Sequence, residues 1–235
     1  MRKSEYKMFV NYIRRFINPQ IPISQKIHAF GRYLIMGCQV VGERIRGLDY
    51  TMIYSTVEDN QKSNGSYTKT PIRVLKKIFE DIPFEEGAKN FIDIGCGKGY
   101  VVTIASKYRF ERIGGVEYNQ HLYEVCCNNL KKNKIREEYI YHGNAAEFAH
   151  YRDYNIFFFN NPVGAAILLE TLKKIQSAHK NDRIYIYYIN VNNDEKRKAF
   201  DECGFHLLKY MKDGKESYFD IWVFSNIDEK AVSYE

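Results

Sequence analysis

The chain has 235 residues, of which 45% are hydrophobic, and this is enough apolar material for one folded domain with an appendage. Its net charge of +6 comes from 35 basic and 29 acidic residues, a mixed surface that permits an anionic partner without arguing for one. Five cysteines without a C-x-x-C pair or His/Cys metal spacing argue against a disulfide framework or a metal site, so a reduced, cytoplasmic setting is expected.

The first 65 residues predict a helical extension that also serves as a lid. Apolar residues between Met8 and Ile17 recur at helical spacing among Lys and Arg, and Pro19 and Pro22 then interrupt the pattern. The positive N-terminus lacks the apolar core of a secretion signal. The longest early apolar stretch, residues 33–41, is too short to span a bilayer, so no transmembrane segment is expected.

The main domain is predicted over residues 66–226, followed by a C-terminal tail over 227–235. A polar, turn-rich stretch precedes Thr70-Pro71, which opens a helix with the sequence IRVLKKIF. From Asn90 onward, short apolar runs alternate with helical patterns. Such alternation is typical of an α/β protein with a parallel, doubly wound sheet.

Five parallel strands and a terminal hairpin are expected in this sheet. The strand sequences are FIDI, RIGGVE, EYIYHG, YNIFFFN and RIYIYYIN, with helices between them and a short helix predicted over AAEFAH. The chain then ends in two strands joined through Asp213-Gly214, a tight hairpin turn, so the last strand must run antiparallel to its neighbour. The predicted fold is therefore a Rossmann-like sheet of seven strands.

A glycine-rich loop, DIGCGKGY, follows the first strand of this domain and precedes a helix. Glycines let the backbone turn tightly and approach a ligand at the start of the helix. Glu117 ends the second strand, 20 positions after Gly97, a spacing at which a carboxylate reaches ribose hydroxyls (117 − 97 = 20). Together the loop and Glu117 predict a nucleotide-type ligand.

The loop departs from the dinucleotide pattern, because Gly99 follows Gly97 after two positions instead of three. Asp93 beside the loop would also repel a pyrophosphate. A carboxylate there suits an adenosyl ligand that carries an ammonium group, because opposite charges attract. S-adenosylmethionine has both parts and is the predicted cofactor.

The motifs FIDIGCGKGY, IGGVE, HGNAAEF and FFFNNP, with the terminal hairpin, resemble those of class I S-adenosylmethionine-dependent methyltransferases over about residues 66–226. The resemblance implies that Gly95, Cys96 and Gly97 line the methionine and ribose portion of the cofactor. It also implies that Asp93 lies near the amino group and that Glu117 holds the ribose hydroxyls. The resemblance further implies that Asn144 and Ala145 contact the adenine. The family usually has Asp at the position of Asn144.

Within this class, the chain is similar to a group of uncharacterised bacterial methyltransferases with a Y-x-x-T-P segment before the glycine loop. Its plan also resembles the histone lysine methyltransferases that lack a SET domain, whose fourth strand likewise ends in two asparagines. In both groups the segment before the loop lies over the cofactor. The resemblance therefore implies that Tyr67 and Thr70 belong to a cofactor lid.

Two asparagines, Asn160 and Asn161, end the fourth strand, and they are the predicted catalytic residues. The carboxyl ends of the first and fourth strands meet where the strand order reverses, which is where ligands bind in such sheets. An amide offers donors and an acceptor without a charge, so it can orient an amine or contact the cofactor without repelling the sulfonium. The alternative is a polar turn that caps the next helix.

The sequence thus predicts a methyltransferase that acts on nitrogen, in a protein side chain or a small molecule. Val163 and Gly164 follow Asn161-Pro162 where amino-directed enzymes often carry an aromatic that stacks on the target, so a nucleic-acid acceptor is not favoured. Two alternatives stay open. One is a binding module that holds S-adenosylmethionine without turnover, and the other is an RNA methyltransferase. The sequence does not indicate an oligomeric state.

Overall fold

The computed structural model describes residues 17–51, 54–55, 66–180, 182–191, 193–212 and 219–227. The helical pattern predicted between Met8 and Ile17 lies outside them except for its last residue, as do the turn at Asp213-Gly214 and the tail beyond Ile227. The chain forms two compact units, Met1–Lys69 and Thr70–Glu235. The domain limits at 65/66 and 226/227 remain predictions.

The N-terminal unit contains one long helix and a small two-stranded ribbon. Helix α1 spans Ile23–Ile45 and begins directly after Pro22, downstream of the segment in which the sequence predicts a helix. Strands β1 (Tyr54–Ser55) and β2 (Ser66–Tyr67) pair antiparallel. Among the described residues, no helix is both long and apolar enough to cross a membrane.

The C-terminal unit alternates strands and helices in the predicted order. Its strands are β3 (Asn90–Ile94), β4 (Arg112–Glu117), β5 (Ile140–His142), β6 (Ile156–Phe159), β7 (Tyr185–Ile189), β8 (His206–Lys212) and β9 (Asp220–Ser225). Its helices are α2 (Ile72–Asp81), α3 (Tyr100–Ala105), α4 (Gln120–Lys132), α5 (Ala165–Ala178) and α6 (Asp194–Glu202). The predicted short helix over residues 145–150 is wrong: only a 3₁₀ turn, Ala145–Glu147, forms there.

The seven strands form one sheet in the order β5-β4-β3-β6-β7-β9-β8. Strands β3 to β7 run parallel, and β9 inserts antiparallel between β7 and β8. From β3 the chain adds β4 and then β5 on one side, and it then crosses back to add β6 on the other side of β3. The expectation of five parallel strands with a terminal antiparallel hairpin is confirmed.

Alternating residues of the central strands feed a hydrophobic core on each face of the sheet. On one face, Phe157 and Phe159 of β6 pack with Leu168 and Leu172 of α5. On the other, Phe158 packs in a cluster that includes Val74, Leu75, Ile78 and Phe79 of α2. Because β6 is covered on both faces, all four of its residues are buried, which explains its continuous apolar run.

Candidate functional site

The candidate site lies at the carboxyl ends of β3 and β6, the neighbouring strands between which the strand order reverses. The loop after β3 carries three glycines with left-handed backbone angles, Gly95 (φ 76°), Gly97 (φ 55°) and Gly99 (φ 76°). Only glycine adopts such angles without strain. The N–H of Gly95 donates to the Val116 carbonyl over 2.8 Å, so the loop turns directly beside the end of β4.

The glycine loop and the Asn160-Asn161-Pro162 turn meet directly. A Cβ atom built on Gly95 would lie 2.3 Å from the Cβ of Pro162. Real Cβ atoms do not approach so closely, so the position requires glycine for its volume as well as for its angle. The two motifs that the sequence singles out on different strands therefore form one site.

Glu117 is anchored by backbone groups at the end of β4. Its Oε2 accepts the N–H of Gly97 over 2.8 Å, and its Oε1 accepts the N–H of Asn119, also over 2.8 Å. Burial raises the pKa of this carboxyl, and the backbone N–H donors from Asn119, Gly97 and Tyr118 oppose that rise. Glu117 thus ties the glycine loop to the next helix and keeps lone pairs for a ligand.

Asp93 has the least favourable electrostatic surroundings in this site. The residue is only 3% exposed, and no described residue donates a hydrogen bond to its carboxyl. Burial, and then the nearby charge of Glu117, raise the pKa of Asp93 well above its usual range. Two neighbouring buried carboxyls beside a backbone loop form a site that a cation would stabilise.

Cys96 packs inside the loop. Its Sγ lies 2.8 Å from where a Cβ on Gly115 would be, so the thiol fills the space that this glycine leaves. A hydrogen bond with the Cys126 thiol and then burial raise the pKa of Cys96 well above its usual range. The thiol therefore stays protonated, and its contacts are those of a small core side chain.

Asn144 and Ala145 begin the turn after β5, beside Glu117. The N–H of Gly143 donates to the Glu117 carbonyl over 2.9 Å, which holds this turn against the end of β4. The Asn144 side chain caps the 3₁₀ turn, because its Oδ1 accepts the N–H of Ala146 over 3.0 Å. Ala145 is buried, and its carbonyl accepts the Tyr151 hydroxyl over 2.7 Å.

The two asparagines have different partners. Asn160 donates from Nδ2 to the Thr70 hydroxyl over 2.9 Å, although the two residues are 90 positions apart. Asn161 has a left-handed backbone (φ 47°), and its Oδ1 accepts the Tyr188 hydroxyl over 3.1 Å and the Lys196 ammonium. Neither contact is the predicted alternative of a cap on the following helix, whose N-cap residue Gly164 has no side chain to cap it.

The predicted lid residues fall in different units. Thr70 begins the C-terminal unit and is 2% exposed at the end of β6. Tyr67 belongs to the N-terminal unit, where its hydroxyl donates to the Tyr50 carbonyl over 3.0 Å. The structure therefore brings Thr70 to the strand ends, and Tyr67 remains a prediction.

Two residues beside the site are not predicted from the sequence. Lys196 lies on α6 and is 7% exposed, and Tyr188 lies on β7 and is fully buried. Tyr188 follows Asn161 by 27 positions and Lys196 follows it by 35, and no local sequence pattern marks such contacts. The only available signal is that Lys196 shares a helix face with the buried Ala199 and Phe200.

No family model matches the chain. Over 67 residues it is 33% identical to the rRNA N(6)-adenosine-methyltransferase metl-5 of Caenorhabditis elegans. The matched segment is 28% of this chain and spans only 30% of the length of that curated relative.

Solved structures resemble the chain over about two thirds of its length. The tRNA m1A22 methyltransferase TrmK of Bacillus subtilis superposes with a TM-score of 0.55 at 15% identity, covering 69% of each chain. Magnesium protoporphyrin IX methyltransferase of Synechocystis, with bound S-adenosylmethionine, gives 0.52 at 10% identity, covering 66% of this chain and 79% of that one. A Listeria monocytogenes protein assigned to the class I methyltransferases gives 0.53 at 10% identity, with 68% and 61% covered. The chain therefore has the fold of the class I S-adenosylmethionine-dependent methyltransferases, as its motifs indicate.

Proposed function

We propose that the chain is an S-adenosylmethionine-dependent methyltransferase that acts on a nitrogen atom. The observation that carries this proposal is the pair of buried carboxyls, Asp93 and Glu117, at a glycine loop. Such a pair favours a cationic ligand over an anionic one, which separates this site from a pyrophosphate site of the same fold. S-adenosylmethionine carries an ammonium, a sulfonium and two ribose hydroxyls, so it fits these residues.

In this proposal, different residues bind different parts of the cofactor. Asp93 pairs with the ammonium. Glu117 accepts hydrogen bonds from the ribose hydroxyls, using the carboxylate lone pairs that the N–H groups of Gly97 and Asn119 do not occupy. Gly95 and Gly97 let the backbone approach without a Cβ in the way, and Cys96 packs behind them.

The outer contacts complete the cofactor site. Asn144 and Ala145 border the adenine from the turn beside Glu117, and an amide in place of the family's usual Asp still hydrogen-bonds to an adenine edge. Thr70 and Tyr67 serve as the lid, and Thr70 also holds Asn160.

The chemistry asks little of the protein beyond alignment. S-adenosylmethionine supplies a methyl group on a sulfonium, which leaves as a neutral thioether when the acceptor nitrogen forms the new N–C bond and releases one proton. Asn160 and Asn161 orient the acceptor with neutral amides, so they do not oppose the cationic cofactor electrostatically. Alignment in a preorganised polar site supplies most of the acceleration.

Two classes of acceptor follow from different observations. A protein side chain or a small molecule is favoured by Val163 and Gly164, because the turn offers no aromatic on which a flipped base stacks. RNA is favoured by the similarity to metl-5, which its name describes as an rRNA methyltransferase. A silent S-adenosylmethionine-binding module is the third candidate, distinguished by binding without turnover.

Calorimetric titration of the purified chain tests the cofactor assignment. We expect S-adenosylmethionine to bind and NAD to show no heat, because the carboxyl pair rejects a pyrophosphate. Glu117→Ala removes the acceptor of two backbone N–H groups and the proposed ribose contacts, so affinity should fall at least about tenfold. Glu124→Ala, an acid-to-alanine change at an exposed position of α4, is the matched control. NAD binding in preference to S-adenosylmethionine would refute the proposal.

A further inference from the structure

Helix α1 exposes a row of large apolar side chains to solvent. Seven of them are between 46 and 81% exposed: Ile23, Ile27, Phe30, Leu34, Ile35, Val41 and Ile45. In the C-terminal unit, the exposed apolar side chains of this size are spread over separate elements, among them Ile72 on α2, Ile167 on α5 and Leu207 on β8. Single exposed apolar residues are common on folded proteins, whereas a contiguous set marks a contact surface.

The seven residues lie on one side of the helix. At 3.6 residues per turn, six of them fall within an arc of about 60°, and Ile35 widens it. The positions between them hold small residues without charge: Ser24, Gly31, Gly37, Cys38 and Gly42. These twelve residues form a sector of about 160° that contains no charged side chain, and this sector is named the open face of α1. Over the 23 residues of the helix, the open face is about 34 Å long.

The opposite side of α1 already has partners. Met36 and Val40 are half-buried there, and Glu43 is 6% exposed. Glu43 accepts the N–H of Thr51 over 2.8 Å and forms an ion pair with Lys69 over 3.4 Å. The single acidic residue of the helix is therefore satisfied on its packed side, and the open face is a second, separate surface.

The positive charge of the chain is concentrated in the same part of the sequence. The first 46 residues contain nine basic and two acidic residues, and the rest of the chain has 26 basic and 27 acidic residues (35 − 9 and 29 − 2). Within α1, Lys26 and Arg44 border the open face along one edge. Such a charge asymmetry indicates an anionic partner for this part of the chain.

We propose that the open face of α1 binds the surface of an anionic lipid bilayer. The apolar side chains enter the boundary between headgroups and acyl chains, and Lys26 and Arg44 lie at the level of the anionic headgroups. An apolar face bordered by basic residues is the arrangement with which helices lie in the plane of a membrane surface. The proposal concerns the N-terminal unit and does not depend on the proposed enzymatic activity.

A second copy of the chain fits the open face less well. A seam between two helices uses a narrow stripe, whereas the open face is about 160° wide. Two α1 helices packed antiparallel about Leu34, the midpoint of the helix, would place Lys26 of each near Arg44 of the other, and like charges repel. In a parallel pair, Phe30 would face Phe30 and Gly37 would face Gly37, which leaves the helices unevenly spaced.

A nucleic acid would use the charge of this segment but not its open face. Phosphate groups are bound by basic and polar groups, and bases stack on aromatic rings, of which the open face has only Phe30. Its six aliphatic side chains would stay in water. An anionic bilayer uses both the apolar face and the charge, so it is the favoured partner.

Flotation of the full chain with lipid vesicles tests the proposal. One set of vesicles is pure phosphatidylcholine, and the other has about one part phosphatidylserine to three parts phosphatidylcholine. We expect the chain to float with the anionic vesicles and to bind the neutral ones at least about tenfold more weakly, because each basic residue near an anionic surface strengthens binding. Added salt should weaken the binding to anionic vesicles.

The double variant Ile27→Asn, Leu34→Asn tests the apolar part of the contact. It places two amides on the open face, so affinity for the anionic vesicles should fall at least about tenfold. Both side chains are exposed, so Tm should change little. Ile167→Asn with Leu207→Asn makes the same two changes at exposed positions of the C-terminal unit and is the matched control.

The charged part of the contact is tested by Lys26→Glu. This variant should lose most of the preference for anionic over neutral vesicles, whereas Lys174→Glu, at an exposed position of α5, should keep it. Phe30→Trp locates the contact, because the wild-type chain has a single tryptophan, Trp222 in β9. We expect the emission of Phe30→Trp, but not that of the wild type, to shift to shorter wavelength when anionic vesicles are added.

Three results would overturn the proposal. One is absence of vesicle binding, whether the chain then forms a dimer or binds RNA. The second is vesicle binding that the Ile27→Asn, Leu34→Asn variant leaves unchanged, and the third is an unshifted Phe30→Trp spectrum in the presence of bound vesicles. None of these measurements includes S-adenosylmethionine, so their failure would leave the proposed function untouched.

Discussion

Replacing Asp93 by Asn should stabilise the free protein while weakening its hold on S-adenosylmethionine. Asp93 is buried without a described hydrogen-bond donor, and burial together with Glu117 raises its pKa well above the usual range. The charged carboxylate is therefore disfavoured in the folded state. Asparagine has nearly the same shape and carries no charge, so it removes this penalty and also removes the attraction for the ammonium group.

The sign of the pH dependence follows from linkage. Because the folded pKa lies above the unfolded one, Asp93 stabilises the folded chain fully only below the unfolded pKa, and this stability is lost as the pH rises through the raised value. For a chain of this size, each kcal/mol of stability that the variant gains corresponds to a rise in Tm of about 2–4 °C. The advantage of Asp93→Asn should therefore grow from pH 4 to pH 8.

Thermal unfolding with and without S-adenosylmethionine measures both effects. Losing a hydrogen bond to a charged group costs about 1.5–3 kcal/mol, so cofactor affinity should fall about 10- to 150-fold. The free variant should melt above the wild type, and the wild type should gain more from added cofactor. Asp201→Asn, at an exposed position of α6, is the matched control. A variant that melts below the wild type at pH 8 and binds the cofactor equally well would refute this reasoning.

Two further substitutions probe the meeting of the glycine loop with the β6 turn. Gly95→Ala should unfold at a lower temperature than Gly87→Ala. Both glycines have a positive φ, but only a Cβ at position 95 collides with Pro162. Melting curves that coincide would contradict the close packing of Gly95 against Pro162. Thr70→Val removes the hydroxyl that Asn160 binds, so kcat should fall with little change in Tm; a wild-type kcat would show that this hydrogen bond does not position Asn160.

Strand identity and order could be predicted from sequence because burial on both faces leaves a plain pattern. The run Ile156–Phe159 is apolar throughout, and its neighbours alternate with helices, which dictates a parallel sheet. The 3₁₀ turn at Ala145–Glu147 could not be predicted, because apolar residues at helical spacing do not show how soon a turn ends. The helical conformation ends there after one turn, and the Tyr151 hydroxyl donates a hydrogen bond to the Ala145 carbonyl.

The candidate site was predictable where its residues are local and not where they are brought together by the fold. The glycine loop and Glu117 are marked by spacing, and the structure joins them through the Gly97 N–H. The contact between Asn161 and Lys196 has no counterpart in the sequence, because it depends on where α6 begins after β7. Such hydrogen bonds between side chains that are distant in sequence depend on tertiary packing.

Transfer of label from radiolabelled S-adenosylmethionine into a cell extract separated into RNA, protein and small molecules tests the central claim most directly. We predict that the wild-type chain labels one fraction and that Asn160→Ala loses this label while still binding the cofactor. Bound cofactor with no label in any fraction would contradict the assignment of a methyltransferase and favour a binding module.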